Sequence, residues 1–192
     1  MQRIPPAPPE HYVSPESPGG RTMLSQVMMQ APTASRAYRP FIDAVFAQLE
    51  IPPYDRELAV LYTVRLEGGE YQWVQHVHIA PTMMGVPQAQ VDAIARDDVA
   101  NPIFSEKHRA LLAFTRQVVK NVRVDDDVFA EMAKHYPMRE LVETLFTIGS
   151  YMLLARISEV ARIPPEPPAA GVASLTSALA KAGRLETPPA DE

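Results

Sequence analysis

Glu57, Arg65 and His76 are the residues of this sequence whose types and surroundings favour chemistry. Each interrupts an otherwise apolar run, and a charge buried without a partner is costly to a fold. A histidine can carry a proton near neutral pH, a carboxylate can orient its imidazole, and a guanidinium can hold a carboxylate through two hydrogen bonds. Together these groups fit proton transfer on a small acidic molecule.

A structural role is the alternative for the same residues. Glu57 would lie in the first turn of its helix, where the helix dipole favours an anion, and Arg65 would reach solvent or pair with a carboxylate. A lone histidine on an apolar stripe, as His76 is, is more often a hydrogen-bonded core residue than a catalyst. The residue types alone leave both interpretations open.

His76 and His78 have the spacing of a metal motif but not its geometry. On a helix they lie about 200° apart, so they cannot close on one ion. His76 instead shares a stripe with Trp73, which predicts that it points into the protein, while His78 leaves from the opposite face. We therefore expect no metal site here.

Composition excludes several classes of function. The 192-residue chain has no cysteine, which excludes disulfide scaffolds, thiolate metal sites and cysteine nucleophiles. The net charge of -5 and the absence of a basic run argue against nucleic-acid binding. No stretch approaches the roughly 20 apolar residues of a membrane span, and the N-terminus lacks the apolar middle of a signal peptide. We expect a cytoplasmic protein with neither nucleic-acid nor membrane partners.

The elements that must position these residues are helices. Apolar residues recur every three or four positions, which predicts an all-α core. The candidate residues lie on two consecutive helices separated by Gly68 and Gly69, and the first of the two is apolar all round and should be central. The predicted helices are Thr22–Met29, Ser35–Leu49, Tyr54–Glu67, Glu70–Met84, Gln88–Arg96, Glu106–Asn121, Asp126–Tyr136 and Met138–Val160.

Both ends of the chain are rich in proline, which favours extended segments on the surface. The sequence divides into an N-terminal arm at residues 1–20, a helical domain at residues 21–162 and a proline- and alanine-rich tail at residues 163–192. Each end is either a linker or an arm across a neighbouring subunit, anchored by Tyr12, Val13 or Ile163. The stretch Val172–Ala182 could form a short helix.

The order of these elements resembles the carboxymuconolactone decarboxylase-like family. The likeness lies in the spacing of Glu57–Leu61, Glu70–His76, Gly85–Pro87 and Val91–Ile94, within residues 40–161. The resemblance implies an alkylhydroperoxidase D-like helical bundle. It also implies a homo-oligomer, either a trimer or a hexamer.

The family has two well-known branches. In the peroxidase branch a C-x-x-C-x-x-x-H motif supplies a redox dithiol, but Gly69 and Gln72 stand at the two cysteine positions, so this sequence is not a dithiol peroxidase. Glu57 and His76 match the glutamate and histidine of that branch's proton relay, and Tyr71 stands where some members have a second histidine. In the decarboxylase branch a small lactone acid loses carbon dioxide without a cofactor, and the resemblance gives His76 the role of handling the proton.

The functional hypothesis is a lyase that needs no cofactor and that decarboxylates or otherwise transforms a small carboxylated lactone or ring compound, as in aromatic-compound catabolism. His76 and Glu57 are its candidate catalytic residues. Arg65, Tyr71 and Trp73 are its candidate substrate-binding residues, with simple packing as the alternative for the two aromatic side chains. The competing hypothesis is a catalytically silent oligomer that binds a small ligand or acts as a scaffold.

Overall fold

The computed structural model describes residues 1–12 and 22–168, together with residues 172, 175, 176, 178–180 and 182. In this part of the chain the regular structure is helical, without a strand, which confirms the all-α prediction. A short 3-10 turn at Pro9–His11 precedes eight α-helices. These are α1 Met23–Met28, α2 Pro32–Ala47, α3 Pro53–Glu67, α4 Glu70–Met83, α5 Gln88–Ala95, α6 Glu106–Asn121, α7 Asp126–His135 and α8 Met138–Ala161.

The helix ends follow the local sequence signals. Ser105 accepts a hydrogen bond from the backbone N–H of His108 and so caps α6. Asp125 stands at the N-cap of α7, but its side chain accepts from Gln117 instead of capping the helix. The helix α2 starts at Pro32, earlier than the predicted Ser35, because proline at the first helical position loses no hydrogen bond.

The helix α3 is the centre of the bundle. Its residues from Asp55 to Val64 are all buried, and it packs against α4, α5, α6 and α8. It ends at Gly68, which has a φ of 70° and whose N–H bonds to the Val64 carbonyl. A Cβ on the next residue, Gly69, would lie 3.0 Å from the Cβ of Ala155. The two glycines therefore allow a tight α3–α4 turn against α8.

The described parts of both proline-rich ends pack on their own chain. The Arg3 N–H bonds to the Ala161 carbonyl at 2.8 Å, and the Ala7 N–H bonds to the Gln26 carbonyl at 3.0 Å. Ile163 is buried in a cluster with α1 and α2. Of the other predicted anchors, Tyr12 lies beside α1, and Val13 is outside the described residues. The described residues of the Val172–Ala182 stretch are helical up to Ala180.

One helix of the described chain, α8, is long and apolar enough to cross a membrane by length and composition. Of its most apolar window, 56% is buried inside the bundle. A core helix of a soluble protein meets the same criteria.

Candidate functional site

Glu57 and His76 form a buried pair between α3 and α4. The Nδ1 of His76 lies 2.7 Å from the Oε1 of Glu57, and the two side chains are 11% and 4% exposed. Because an ionised carboxylate only accepts hydrogen bonds, Nδ1 is the donor. The contact fixes the orientation of the ring and leaves Nε2 as the nitrogen that can exchange a proton with a bound molecule.

Tyr151 of α8 is the third member of this site, and the sequence analysis did not identify it. Its ring meets the imidazole of His76 edge to face, with centroids 4.9 Å apart and an interplanar angle of 82°. It packs against Val60 and Val64 of α3. Burial, and then the Glu57 carboxylate, raise the pKa of the Tyr151 phenol well above its usual value. The phenol is therefore neutral at physiological pH.

Arg56 is the buried guanidinium on this side of α3. It precedes Val60 by one helical turn and Val64 by two, so it lies on the α3 stripe that faces Tyr151. It is 4% exposed, and its charge opposes the effects of burial and of Glu57 on the pKa of Tyr151. The sequence does contain one indication that Arg56 is buried: it belongs to a helix that is apolar all round.

The structure does not bring Arg65 to this site. Arg65 is exposed in the last turn of α3, about 12 Å along the helix axis from Glu57. Its Nε donates to the Ala95 carbonyl at 2.8 Å, near the end of α5. The prediction that its guanidinium anchors a substrate beside His76 does not fit this position.

The two candidate aromatic residues of α4 lie in different environments. The Tyr71 hydroxyl donates to the Glu166 carboxylate of the C-terminal segment, about 140° around α4 from His76. Burial and the Glu166 carboxylate raise the pKa of the Tyr71 phenol. Trp73 is half-buried and packs on the cluster that contains Tyr151. Of the two, only Trp73 belongs to a cluster that reaches the site.

A second ionic cluster lies on the opposite side of α3, and the sequence analysis did not identify it. The buried Asp55 carboxylate contacts Lys107 Nζ at 2.7 Å and His108 Nε2 at 3.1 Å. Tyr54 stacks on His108, and Lys107 lies over the ring of Tyr136. Burial alone would raise the pKa of Asp55, but the contacts with His108 and Lys107 outweigh it and lower that pKa.

The two histidines of α4, His76 and His78, lie on different faces of the helix. His78 is exposed on the outer face of α4. Among residues 1–12, 22–168 and the described positions beyond, no three histidine or carboxylate side chains converge in a way that could hold a metal ion.

Comparison with known proteins identifies the fold. No family model matches the sequence, and no curated protein matches it. Among solved structures, a protein of unknown function from Agrobacterium tumefaciens, described as a candidate antioxidant-defence protein AhpD, is 21% identical with a TM-score of 0.66. That match covers 72% of this chain and 95% of the other.

Two structures of the debrominase Bmp8 cover more of the chain. A cysteine-to-alanine variant in complex with 2,3,4-tribromopyrrole is 19% identical with a TM-score of 0.74, and the match covers 93% of this chain and 98% of that one. The apo form is 20% identical with a TM-score of 0.70, over 91% and 97% of the two chains. The chain therefore has the AhpD-like fold that the sequence analysis predicted.

Proposed function

We propose that this protein is a Cys-less member of the carboxymuconolactone decarboxylase-like family and an enzyme that needs no cofactor. In this proposal His76 and Glu57 transfer protons on a small carboxylated lactone or ring compound. The observation that supports it is the buried 2.7 Å contact between the two side chains on adjacent helices of an AhpD-like fold. Of the two debrominase structures with this fold, one holds a small aromatic ring, 2,3,4-tribromopyrrole.

The Glu57–His76 pair suits a decarboxylation. The bond between a ring carbon and the substrate carboxylate would break, carbon dioxide would leave, and the electron pair would move into a conjugated lactone or enone carbonyl. A proton from His76 Nε2 would then bind the ring carbon and restore a neutral product. Glu57 would hold the imidazole in place and stabilise its protonated form.

The surroundings of the pair suit a flat, apolar substrate. Tyr151, Phe46 and Trp73 place aromatic side chains around the α3 stripe that follows Arg56. Aromatic surfaces bind planar rings, and an apolar surround strengthens the electrostatic effect of nearby charges. We propose a small molecule as the partner, rather than a nucleic acid or a membrane, and a homo-oligomer as the working form.

The test is an assay of carbon dioxide release from a panel of lactone and enone carboxylic acids. With an active substrate, His76→Gln should keep the fold but lower kcat by about 10²–10⁴-fold, the usual contribution of a general acid. Glu57→Gln should lower kcat less, because it loosens the histidine without removing it. His78→Gln is the matched control and should keep full activity, since its side chain is exposed on the other face.

Two outcomes would contradict the proposal. Equal losses for His76→Gln and His78→Gln would show that the buried pair has no special role. If no panel member reacts, and if His76→Gln and Glu57→Gln only lower the melting temperature, the pair is a structural network. The protein would then be the catalytically silent ligand-binding or scaffold protein of the competing hypothesis.

A further inference from the structure

The Glu57–His76 pair is almost closed to solvent by the protein itself. The side chain of His76 is 11% exposed and that of Glu57 is 4% exposed. Tyr151, whose ring lies against the imidazole, is buried. A small molecule that contacts His76 Nε2, as the proposed function requires, can reach it only after a part of the protein that covers the pair has moved.

The helix α2 covers the Tyr151 side of this site. The ring of Phe46 packs against the ring of Tyr151, with centroids 6.2 Å apart, and against the α3 side chains of the same cluster. Tyr38, about two turns earlier in α2, donates its hydroxyl to the Ser150 carbonyl at 3.4 Å, directly before Tyr151 in the chain. The helix α2 is therefore the outer layer over the aromatic wall of the site.

Of the helices around the site, α2 is held least firmly. Three of its 16 residues, Ile42, Val45 and Ala47, are buried, whereas ten of the 15 residues of α3 are. Ile42 and Val45 belong to an apolar cluster with α1 that is separate from the main core. Pro40 weakens the helix further, because it cannot donate to the carbonyl one turn earlier. A layer with a cluster of its own can open without unfolding the core.

The chain on either side of α2 determines how this layer can move. After α2, the N–H groups of Glu50 and Ile51 both donate to the Glu143 carboxylate of α8 at 2.8 Å. The connection between α2 and α3 is therefore fixed to the bundle and can act as a hinge. Before α2, the Ser35 hydroxyl donates to the Met28 carbonyl at the end of α1, so α1 and α2 form one unit.

Glu166 of the C-terminal segment attaches the start of this unit to α4. Its carboxylate accepts a hydrogen bond from the Met23 N–H at 2.7 Å and another from the Tyr71 hydroxyl. Its carbonyl accepts a third from Gln75 at 2.8 Å. Loss of the Tyr71 bond would loosen α1 from α4 at the end of the unit that is farthest along the chain from the hinge.

We propose that α1 and α2 form a lid over the Glu57–His76 site. The lid turns about the fixed connection at Glu50 and Ile51, and the contact between Glu166 and Tyr71 is its latch. The inference rests on the proposed function, because a bound molecule is what requires the opening. The closed lid excludes water from the site, and the open lid admits a substrate and releases a product.

Chemical labelling of histidine tests the lid without a known substrate. Diethyl pyrocarbonate modifies an imidazole that it can reach, and mass spectrometry gives the rate for each histidine. His78, exposed on the outer face of α4, is the internal reference, and His76 should react much more slowly. Tyr71→Phe should raise the rate at His76 by about 5–30-fold and leave the rate at His78 unchanged, because a lost hydrogen bond to a carboxylate shifts an opening equilibrium by such a factor.

Asp55→Asn is the matched control for a general loss of stability. It removes a buried carboxylate that contacts Lys107 of α6, on the other side of α3 from His76. It should destabilise the whole fold without changing the rate at His76, because the lid opens separately from the core.

A cross-link tests the same movement in the opposite direction. Phe41 of α2 and Phe146 of α8 are both exposed, and their ring centroids are 5.8 Å apart. The chain has no cysteine of its own, so Phe41→Cys and Phe146→Cys together provide one pair of thiols. Joining them with a short bismaleimide should return the rate at His76 in a Tyr71→Phe background to that of the parent, while the same variant without the reagent should stay fast.

Three results would overturn the lid. Labelling of His76 as fast as that of His78 in the parent would show that the site is already open. An unchanged rate at His76 in Tyr71→Phe would show that the latch does not control access. Equal increases in Tyr71→Phe and Asp55→Asn would show that the reagent reaches His76 through global unfolding. The proposed function is tested separately: if no acid of the panel releases carbon dioxide but Tyr71→Phe alone accelerates labelling, the lid stands and the decarboxylation does not.

Discussion

Asp55 and Glu57 lie two positions apart on α3 and contact different helices. They point about 200° apart around the helix, so Asp55 reaches Lys107 and His108 of α6 while Glu57 reaches His76 of α4. Each carboxylate is buried, and each has a basic partner that offsets the loss of hydration. The N-terminal part of α3 therefore makes a buried polar contact on both of its sides.

Asp55→Asn should lower the free energy of unfolding near neutral pH by about 1–3 kcal/mol, because it leaves Lys107 and His108 without their carboxylate. The pKa of Asp55 is lower in the folded protein than in the unfolded chain, so its stabilisation is present above about pH 4 and is lost as the pH falls through the folded value. The difference between variant and parent should thus shrink in acid.

Urea unfolding at neutral pH and near pH 3 measures this difference. The control is Asp126→Asn, an exposed carboxylate in the first turn of α7, which should lose no more than the roughly 0.3–1 kcal/mol that the helix dipole gives an exposed anion. A difference between Asp55→Asn and the parent of the same size at both pH values would contradict the ionic role of Asp55.

The sequence analysis singled out Glu57 and His76, the central pair of the candidate site, and Trp73 beside them, but not Tyr151 or Arg56. Glu57 and His76 stand out because a charged or titratable group interrupts an apolar stripe, a local signal. Tyr151 is invisible to that reasoning, since an aromatic residue in an apolar helix has no distinctive pattern. The exposure of Arg65 and the burial of Arg56 could not be predicted in the same way, because periodicity gives the direction of a side chain while the depth of each helical turn depends on the neighbouring helices.

Among the helices, α4 makes side-chain hydrogen bonds from two different faces. Gln72 and His76 face the core, where Gln72 accepts from the Ser158 hydroxyl of α8 at 3.0 Å. Tyr71 and Gln75 face the C-terminal segment, where Gln75 donates to the Glu166 carbonyl at 2.8 Å. The Glu166 carboxylate also accepts the Met23 N–H at 2.7 Å, so it joins α4 to the start of α1.

Tyr71→Phe should lower the free energy of unfolding by about 1–2 kcal/mol, because it removes a hydrogen bond to a charged, half-buried carboxylate. Tyr71→Phe and Glu166→Gln should be coupled in a double-mutant cycle, since the two side chains share the lost contact. Tyr12→Phe is the matched control and should have no measurable effect, because its hydroxyl lies 3.5 Å from the Gln26 carbonyl, at the outer limit of a hydrogen bond. Additive effects of Tyr71→Phe and Glu166→Gln would contradict this role of the contact.

The helices were predictable to within a few residues because strong local signals mark their ends. Glycine with positive φ ends α3, and a serine cap starts α6. The C-terminal segment was not placed by sequence reasoning. Its position depends on contacts of Glu166 with residues about 90 or more positions earlier in the chain, which no local pattern records.

Across the whole molecule, the tyrosines make the stability of the fold depend on pH. Burial raises the pKa of all seven tyrosines of the chain. Neighbouring carboxylates add to this effect at Tyr62, Tyr71 and Tyr136. In the unfolded chain these phenols ionise near pH 10, while in the folded protein they keep their protons to a higher pH.

The protein should therefore lose stability cooperatively in alkali. Above about pH 10 the unfolded chain binds fewer protons than the folded protein, so the free energy of unfolding falls by about 1.4 kcal/mol per pH unit for each such phenol. Urea unfolding against pH should show this slope, and phenolate absorbance should rise together with the loss of helical circular dichroism. Tyr62 is fully buried. Tyr62→Phe should therefore make the slope shallower by about 1.4 kcal/mol per pH unit, the contribution of one phenol. Phenolate absorbance that rises near pH 10 in a still helical protein would show that the buried phenols titrate freely, contrary to their burial.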